Sequence, residues 1–146
     1  MAGGHERAAA PLQIPPATLA AMKRGAIEAA QRAYAPYSRF AVGAAVLCAD
    51  GRIYTGANVE NASFGLSICA ERNAIFRAVA DGARRIDAVV VYTPTGDATP
   101  PCGACRQVLS EFGVDALVVC CSDDDAADRR YRLAELLPDA FGPRHL

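Results

Sequence analysis

Two uninterrupted apolar runs, residues 88–92 and 116–121, constrain the fold of this chain more than any other feature. Each run lacks the alternating polar residues of a half-buried strand, so we predict strands buried on both faces over residues 87–93 and 116–121. Such strands require helices above and below their sheet. The apolar spacing over residues 101–112, between the runs, predicts one of these helices, and Gly113 ends it.

The segments before and after these runs extend the same pattern. A predicted strand over residues 40–49 is joined to a returning strand over residues 53–59 by Asp50-Gly51, a strong hairpin signal. The other predicted elements are helices over residues 18–34 (with Thr18 as N-cap), 69–80 and 134–141, and an edge strand over residues 131–133. Strands alternate with helices after the initial hairpin, which predicts an α/β class with a mixed sheet covered on both sides.

The length of 146 residues suits one domain, and the sequence has no internal boundary. We predict a flexible N-terminal tail over residues 1–17, which are rich in Ala, Gly and Pro, and a folded domain over residues 18–146. The formal net charge of −1 provides no basic surplus for a nucleic acid. The start of the chain lacks the apolar run of a signal peptide, and no span approaches the ~20 apolar residues of a membrane helix. We therefore expect a soluble cytoplasmic protein.

The six cysteines fall into two groups by their setting. In an intracellular chain, cysteines favour metal binding or catalysis over disulfides. One group lies in apolar strands, and we predict that its members are core residues: Cys48, Cys120 and Cys121. The other group lies at predicted helix starts, where the helix dipole eases the deprotonation of a thiol: Cys69, Cys102 and Cys105.

The second group predicts a catalytic metal site. Cys102 and Cys105 share one face of a helix because they are three residues apart, and Cys69 adds a third thiolate. Three protein ligands with an open fourth position are typical of catalytic zinc, which lowers the pKa of a water there. Glu71 is ionisable, lies two residues from a ligand and is not needed as a ligand itself. It is therefore the candidate for moving the protons of a hydrolysis.

Three thiolates give a Zn²⁺ site a net negative charge, which weakens the Lewis acidity of the ion. We expect Arg72, with Arg106 as a second candidate, to offset this charge by donating hydrogen bonds to the sulfurs.

Around these motifs the chain resembles the small homotetrameric zinc-dependent cytidine deaminases. The resemblance covers roughly residues 18–146, and its most specific parts are residues 69–72 (CAER) and 101–107 (PCGACRQ). The other matching segments are residues 35–45 (APYSRFAVGAA), 56–65 (GANVENASFG) and 135–143 (ELLPDAFGP). The resemblance implies a three-layer α/β/α sandwich with a five-stranded mixed sheet, one Zn²⁺ per subunit and a homotetramer with shared active sites. It also implies hydrolysis of cytidine and deoxycytidine to uridine and deoxyuridine with release of ammonia, a reaction of pyrimidine salvage.

The resemblance further implies a set of residues that bind the nucleoside. Asn58 and Glu60 contact the ribose hydroxyls, and Phe40 packs against the pyrimidine. The remaining implied contacts are Ala70, the backbone carbonyl of Pro100, and two aromatic residues that complete a neighbouring subunit's site, Phe64 and Phe141.

The chain departs from the family immediately before Pro101, where the family often has Ser and this chain has Pro100. A residue that precedes a proline avoids the helical region, so we predict Pro100 as the N-cap and Pro101 as the first helical residue. Because proline keeps its backbone carbonyl, we expect the implied base contact to survive.

Three other functions fit parts of the sequence. A blasticidin-S-type deaminase shares both zinc motifs but lacks the Asn-x-Glu-Asn-Ala pattern of residues 58–62. A polynucleotide-editing deaminase usually has His as its first ligand and a basic surface, whereas this chain has Cys69 and an acidic balance. A non-catalytic, zinc-stabilised binding module leaves Glu71 without a role. For single residues, the alternatives are that Phe40 and Phe64 are plain core residues and that Glu60 caps or pairs locally.

Overall fold

A computed structural model describes residues 13–146 of the chain. The elements are α1 (Pro16–Ala30), β1 (Gly43–Cys48), β2 (Ile53–Ala57), α2 (Ala70–Ala80), β3 (Ile86–Tyr92), α3 (Gly103–Phe112), β4 (Leu117–Cys121), β5 (Arg129–Arg132) and α4 (Leu133–Leu136). Single 3-10 turns occur at Phe64–Leu66, Asp125–Ala127 and Pro143–His145. Residues 1–12 of the predicted tail lie outside the described residues.

The five strands form one mixed sheet with the order β2-β1-β3-β4-β5. β3 and β4 are parallel, and all other neighbouring pairs are antiparallel. The predicted hairpin joins β1 to β2, where the Gly51 N–H donates to the Cys48 carbonyl at 2.9 Å. The predicted Asp50-Gly51 turn is therefore confirmed. Gly51 has a φ of +90°, which a residue with a Cβ rarely adopts, and this explains why glycine occupies the position.

Helices cover both faces of this sheet, which confirms the three-layer α/β/α architecture. Successive residues of the central strands alternate between two cores: Ala45 and Val90 pack with α1, whereas Val46 and Val89 pack with α2 and α3. Each fully buried aliphatic side chain contributes roughly 1.5–3 kcal/mol relative to an exposed one. The predicted core cysteines are buried among these residues: Cys48, Cys120 and Cys121.

Gly56 of β2 brings α2 unusually close to the sheet. A Cβ at this position would lie 2.5 Å from the Ala74 backbone nitrogen and 2.7 Å from the Ala70 carbonyl oxygen. Only glycine fits such an approach. The packing fixes the N-terminal end of α2, which is the end that carries Cys69 and Glu71.

The predicted first helix is displaced toward the N-terminus. α1 begins at Pro16 with Pro15 as its N-cap, so Thr18 is not a cap and the helix starts inside the predicted tail. Proline is well suited to the first turn, because the N–H that it lacks has no partner there. The helix ends at Ala30 and not at residue 34, because Tyr34 pairs instead with the segment after β2, donating its N–H to the Asn58 carbonyl at 3.0 Å.

The predicted start of α3 is wrong by two residues. Cys102 is the N-cap and Gly103 the first helical residue, so Pro100 is not the cap and Pro101 is not helical. An N-cap residue has extended backbone and its side chain folds back over the first turn. This position directs the Cys102 sulfur toward Cys105, one turn along the helix.

The C-terminal elements also differ from the predicted ones. β5 begins at Arg129, two residues before the predicted strand, because four residues pair with β4 despite their charge. α4 ends at Leu136 and not at residue 141. Leu137 precedes Pro138, which disfavours helical backbone, and Asp139 has a left-handed φ of +52°.

Candidate active site

The N-termini of α2 and α3 bring three cysteine sulfurs together. Cys69 is the N-cap of α2, and Cys102 and Cys105 occupy the N-cap and third position of α3. Their sulfur atoms all lie within 4.8 Å of one another, the only such group of potential metal ligands among residues 13–146. The Cys102–Cys105 separation is 3.5 Å and the Cys69–Cys102 separation is 3.8 Å. Two sulfurs bound tetrahedrally to one zinc lie about 3.8 Å apart, so the donor set fits zinc.

The surroundings of this cluster stabilise thiolate. Hydrogen bonds from Cys105 and Arg72 lower the pKa of Cys69 to about 5. The Arg72 Nη2 atom donates to the Cys69 sulfur at 3.5 Å. The pKa of Cys105 is raised, because its thiol hydrogen-bonds the Cys69 sulfur and is buried. These contacts therefore favour the thiolate form of Cys69.

Arg106, the second arginine expected to donate to the sulfurs, has other partners. Its Nε atom donates to the Pro101 carbonyl at 2.8 Å, and its Nη1 atom donates to the Leu136 carbonyl at 2.9 Å. Arg72 is thus the arginine that touches the sulfur cluster, and the expectation for Arg106 is wrong.

Glu71 lies in the first turn of α2 and is only 7 % exposed. Its Oε2 atom lies 3.7 Å from the Cys105 sulfur. Burial raises the pKa of Glu71, because the charged carboxylate loses its hydration. The carboxyl group thus lies beside the cluster in a setting suited to taking up and releasing a proton.

The segment with Asn58 and Glu60 lies directly beside the start of α2. Val59 and Ile68 exchange backbone hydrogen bonds of 2.9 and 3.0 Å, which places residues 58–60 next to the chain that enters Cys69. Asn73 of α2 strengthens this arrangement by donating its side-chain amide to the Ala57 carbonyl at 2.8 Å.

Asn58 links this segment to the one that carries Phe40. Its Nδ2 atom donates to the Phe40 carbonyl, and its Oδ1 atom accepts from the Val42 N–H, both at 2.8 Å. The amide group therefore supports the local backbone with one hydrogen bond at each end. One donor hydrogen and one acceptor lone pair remain for a ligand.

Glu60 is held by the backbone of the neighbouring loop. Its Oε1 atom accepts from the N–H groups of Tyr37 and Ser38 at 2.9 and 3.1 Å. Hydrogen bonds from Ser38 and then Tyr37 lower the pKa of Glu60, so it is ionised at neutral pH. It lines a cleft of about 390 Å³ with Tyr37, Ser38, Phe64 and Ser67. Tyr37, Ser38 and Ser67 are not predictable as site residues, because backbone amides and a loop serine have no distinctive sequence pattern.

The predicted aromatic contacts lie at the surface of the single chain. Phe40 is 37 %, Phe64 75 % and Phe141 60 % exposed, so Phe64 is not a core residue. Phe64 meets the Tyr37 ring edge-on at 5.8 Å, and Phe141 stacks on His145 at 5.3 Å.

Two predicted substrate contacts lie close in sequence to the clustered cysteines. Ala70 is the buried first residue of α2, and Pro100 is an exposed residue of the loop before α3.

The comparisons with known proteins agree with this geometry. The family model for the cytidine and deoxycytidylate deaminase zinc-binding region matches residues 17–121. The chain belongs to this family. With the three-cysteine cluster, this membership gives the chain one zinc site.

Named relatives match the chain over most of their length. It is 47 % identical over 116 residues to a cytidine deaminase of Halalkalibacterium halodurans, covering 80 % of this chain and 88 % of the relative. It is 49 % identical over 122 residues to a cytidine deaminase of Mycobacterium tuberculosis, covering 83 % and 88 %. The crystal structure of a cytidine deaminase from Burkholderia pseudomallei superposes with a TM-score of 0.79 at 46 % identity, covering 84 % of this chain and 98 % of that one.

Among residues 13–146, no helix combines the length and the apolar character needed to cross a membrane.

Proposed function

We propose that this chain hydrolyses the exocyclic amino group of cytidine and deoxycytidine, giving uridine or deoxyuridine and ammonia. The observation that carries the proposal is the buried Glu71 carboxyl in contact with the three-cysteine cluster. The Asn58–Glu60 segment lies beside the same helix end, where a nucleoside would present its sugar. The named relatives are cytidine deaminases at 47 % and 49 % identity, which supports the same reaction.

Cys69, Cys102 and Cys105 would hold the zinc ion. When bound, zinc supplies Lewis acidity, making water acidic enough to attack near neutral pH. Arg72 would reduce the negative charge of the donor set by its contact with the Cys69 sulfur.

Glu71 would carry the protons of the reaction. It would take one proton from the attacking water and deliver it to the ring nitrogen N3, and would then move the second proton of that water, now on the C4 hydroxyl, to the departing amine. The raised pKa of this buried carboxyl supports the role, because an acid–base group works best when its pKa approaches the working pH.

The neighbouring residues would select the free nucleoside. Asn58 and Glu60 would bind the ribose hydroxyls, since each keeps hydrogen-bonding capacity beyond its backbone contacts. Phe40 would pack against the pyrimidine. Ala70 would line the base, and the Pro100 carbonyl would accept from the exocyclic amine. A nucleotide phosphate would meet the negative charge of Glu60 and of the thiolate cluster.

A homotetramer would complete the site with residues from neighbouring chains. Phe64 and Phe141 support this proposal, because both rings are mainly exposed in the single chain and leave apolar surface uncovered. We also propose a place in pyrimidine salvage and a cytoplasmic location, where a reducing environment keeps clustered thiols free for a metal.

The other candidate functions have less support. The named relatives of this chain are cytidine deaminases and not blasticidin-S or polynucleotide-editing enzymes. A zinc-stabilised binding module would gain nothing from burying the Glu71 carboxyl, which is energetically costly.

A spectrophotometric assay tests the proposal, because deamination changes the ultraviolet absorbance of cytidine directly. The wild-type chain is compared with Glu71→Gln, and Glu111→Gln on the exposed side of α3 serves as the matched control. We expect turnover by the wild type and the control and almost none by Glu71→Gln. No turnover of cytidine by the zinc-loaded wild type would refute the proposed reaction.

A further inference from the structure

We infer that Arg106 is a positioning residue that fixes the backbone on both sides of Cys102 and anchors this ligand to the C-terminal part of the chain. Arg106 does not touch the sulfurs, and this role rests on the zinc ligands proposed above.

Residue 106 contacts the two carbonyls that flank the Cys102 α-carbon. The Arg106 backbone N–H donates to the Cys102 carbonyl at 3.0 Å, and its side-chain Nε donates to the Pro101 carbonyl at 2.8 Å. These carbonyls belong to successive peptide groups, so both peptide planes around Cys102 are held. The orientation of its side chain depends on these planes, and Cys102 itself is exposed.

The third contact of Arg106 extends beyond the zinc helix. Its Nη1 atom donates to the carbonyl of Leu136, the last residue of α4, at 2.9 Å. This contact fixes the loop before α3 to a separate element. It adds a connection to α4 beside the contact that Cys102 makes with Cys69 of α2.

The charge of Arg106 is not used in an ion pair among residues 13–146. The positions of its hydrogen-bond donors matter instead, because one planar guanidinium reaches the carbonyls of two separate segments. A lysine ammonium is a point donor on a flexible stem and cannot reproduce that fork. We therefore expect that Arg106→Lys, which keeps the positive charge, does not hold zinc as the wild type does.

The experiment compares Arg106→Lys and Arg106→Gln with Arg84→Lys and Arg84→Gln. Arg84 is a matched control because its Nη1 atom also donates to two carbonyls, those of Val79 and Ala83, at the far end of α2. Zinc release from each zinc-loaded protein into a chromogenic chelator is timed. The melting temperature is measured with and without zinc.

We expect both Arg106 variants to release zinc about 10- to 100-fold faster than the wild type, the usual effect of losing a residue that orients a ligand. Their gain in melting temperature on zinc binding should shrink, because weaker binding stabilises less. The Arg84 variants should behave as the wild type. If Arg106→Lys released zinc at the wild-type rate, charge alone would matter and the proposed role of the guanidinium would be wrong. If the Arg106 variants lost the same amount of melting temperature with and without zinc, and released zinc at the wild-type rate, the role of Arg106 would be structural only.

Hydrogen exchange on the wild-type chain provides the test if the Arg106 variants do not fold. Removal of zinc should speed the exchange of amide protons in residues 133–137, and leave residues 79–84 unchanged. The same response in both segments, or none in residues 133–137, would overturn the inference. The Cys102→Ala variant tests the zinc ligands separately. If Cys102 were not a ligand, this variant would keep its zinc, regardless of the results for the Arg106 variants.

Discussion

The candidate site has two ends, which one chain completes to different extents. We call them the zinc end (Cys69, Glu71, Cys102 and Cys105) and the nucleoside end (Phe40, Asn58, Glu60, Phe64 and Phe141). At the zinc end, Glu71 is 7 % exposed and the sulfur separations of 3.5 and 3.8 Å already suit the metal. At the nucleoside end, Phe64 is 75 % and Phe141 60 % exposed, and the cleft beside Glu60 is open. The residues proposed to carry the chemistry lie together within one chain, whereas the proposed substrate pocket is only partly enclosed.

The difference follows from the elements that carry each set of residues. The zinc-end residues occupy the first turns of α2 and α3, which pack on the same face of the sheet through a shared core. The nucleoside-end residues lie on loops and are held mainly by backbone hydrogen bonds. We therefore expect substitutions at the zinc end to abolish activity and substitutions at the nucleoside end to weaken substrate binding.

The largest expected effect is that of Cys102→Ala, which removes a zinc ligand. We expect this variant to lose most of its zinc and its activity together, measured by metal analysis and by the cytidine assay. Cys120→Ala is the control, because Cys120 is fully buried in β4 and burial raises its pKa to about 12. Equal zinc loss in both variants would contradict the division of the cysteines.

The next largest effect is expected for Glu71→Gln. Loss of a positioned acid–base group typically lowers kcat by about 10²- to 10⁴-fold, and here one residue serves several proton transfers. Zinc content should stay at the wild-type level, since Glu71 is not one of the proposed ligands. If Glu71→Gln kept a tenth of the wild-type kcat, another group would have to carry the protons.

A smaller effect is expected for Glu60→Gln at the nucleoside end. Weakening a charge-assisted hydrogen bond to a ribose hydroxyl costs about 1.5 kcal/mol, roughly tenfold in kcat/KM for cytidine. Glu28→Gln, an exposed position on α1, is the control. The wild type should also prefer cytidine to cytosine and to CMP. Comparable kcat/KM values for cytidine and CMP would mean that the electrostatics of the pocket have been misinterpreted.

The smallest effect is expected for Phe141→Ala. An aromatic contact contributes about 0.5–1.5 kcal/mol beyond its buried area, so KM for cytidine should rise about 2- to 12-fold with little change in kcat. Val114→Ala, also exposed, should leave KM unchanged. A fall in kcat with constant KM would place Phe141 at the chemical step instead.

The sequence predicted the zinc end well because its signals are local. Cys69, Glu71, Cys102 and Cys105 stand at fixed spacings at helix starts, and the fold needs only to bring two helix ends together. The hairpin was equally predictable, since Gly51 requires a backbone conformation that glycine adopts readily.

What the sequence did not predict depends on contacts between distant segments. The Arg106 side chain reaches Leu136, 30 residues further along the chain, and no local pattern indicates this partner. The proline rule alone misplaced the N-cap of α3, which is Cys102, a residue that meets Cys69 of α2 at 3.8 Å. The backbone donors to Glu60 come from Tyr37 and Ser38, 23 and 22 residues earlier.

Subunit complementation tests most directly whether the chemistry belongs to one chain and the pocket to several. Glu71→Gln and Phe141→Ala chains are assembled separately and also together, after reversible dissociation, and cytidine deamination is measured at low substrate concentration. In mixed assemblies some sites combine a native Glu71 with a native Phe141 from a neighbour. The account predicts more activity in the mixture than the average of the two separate assemblies. Activity equal to that average, in assemblies shown to be mixed, would contradict it.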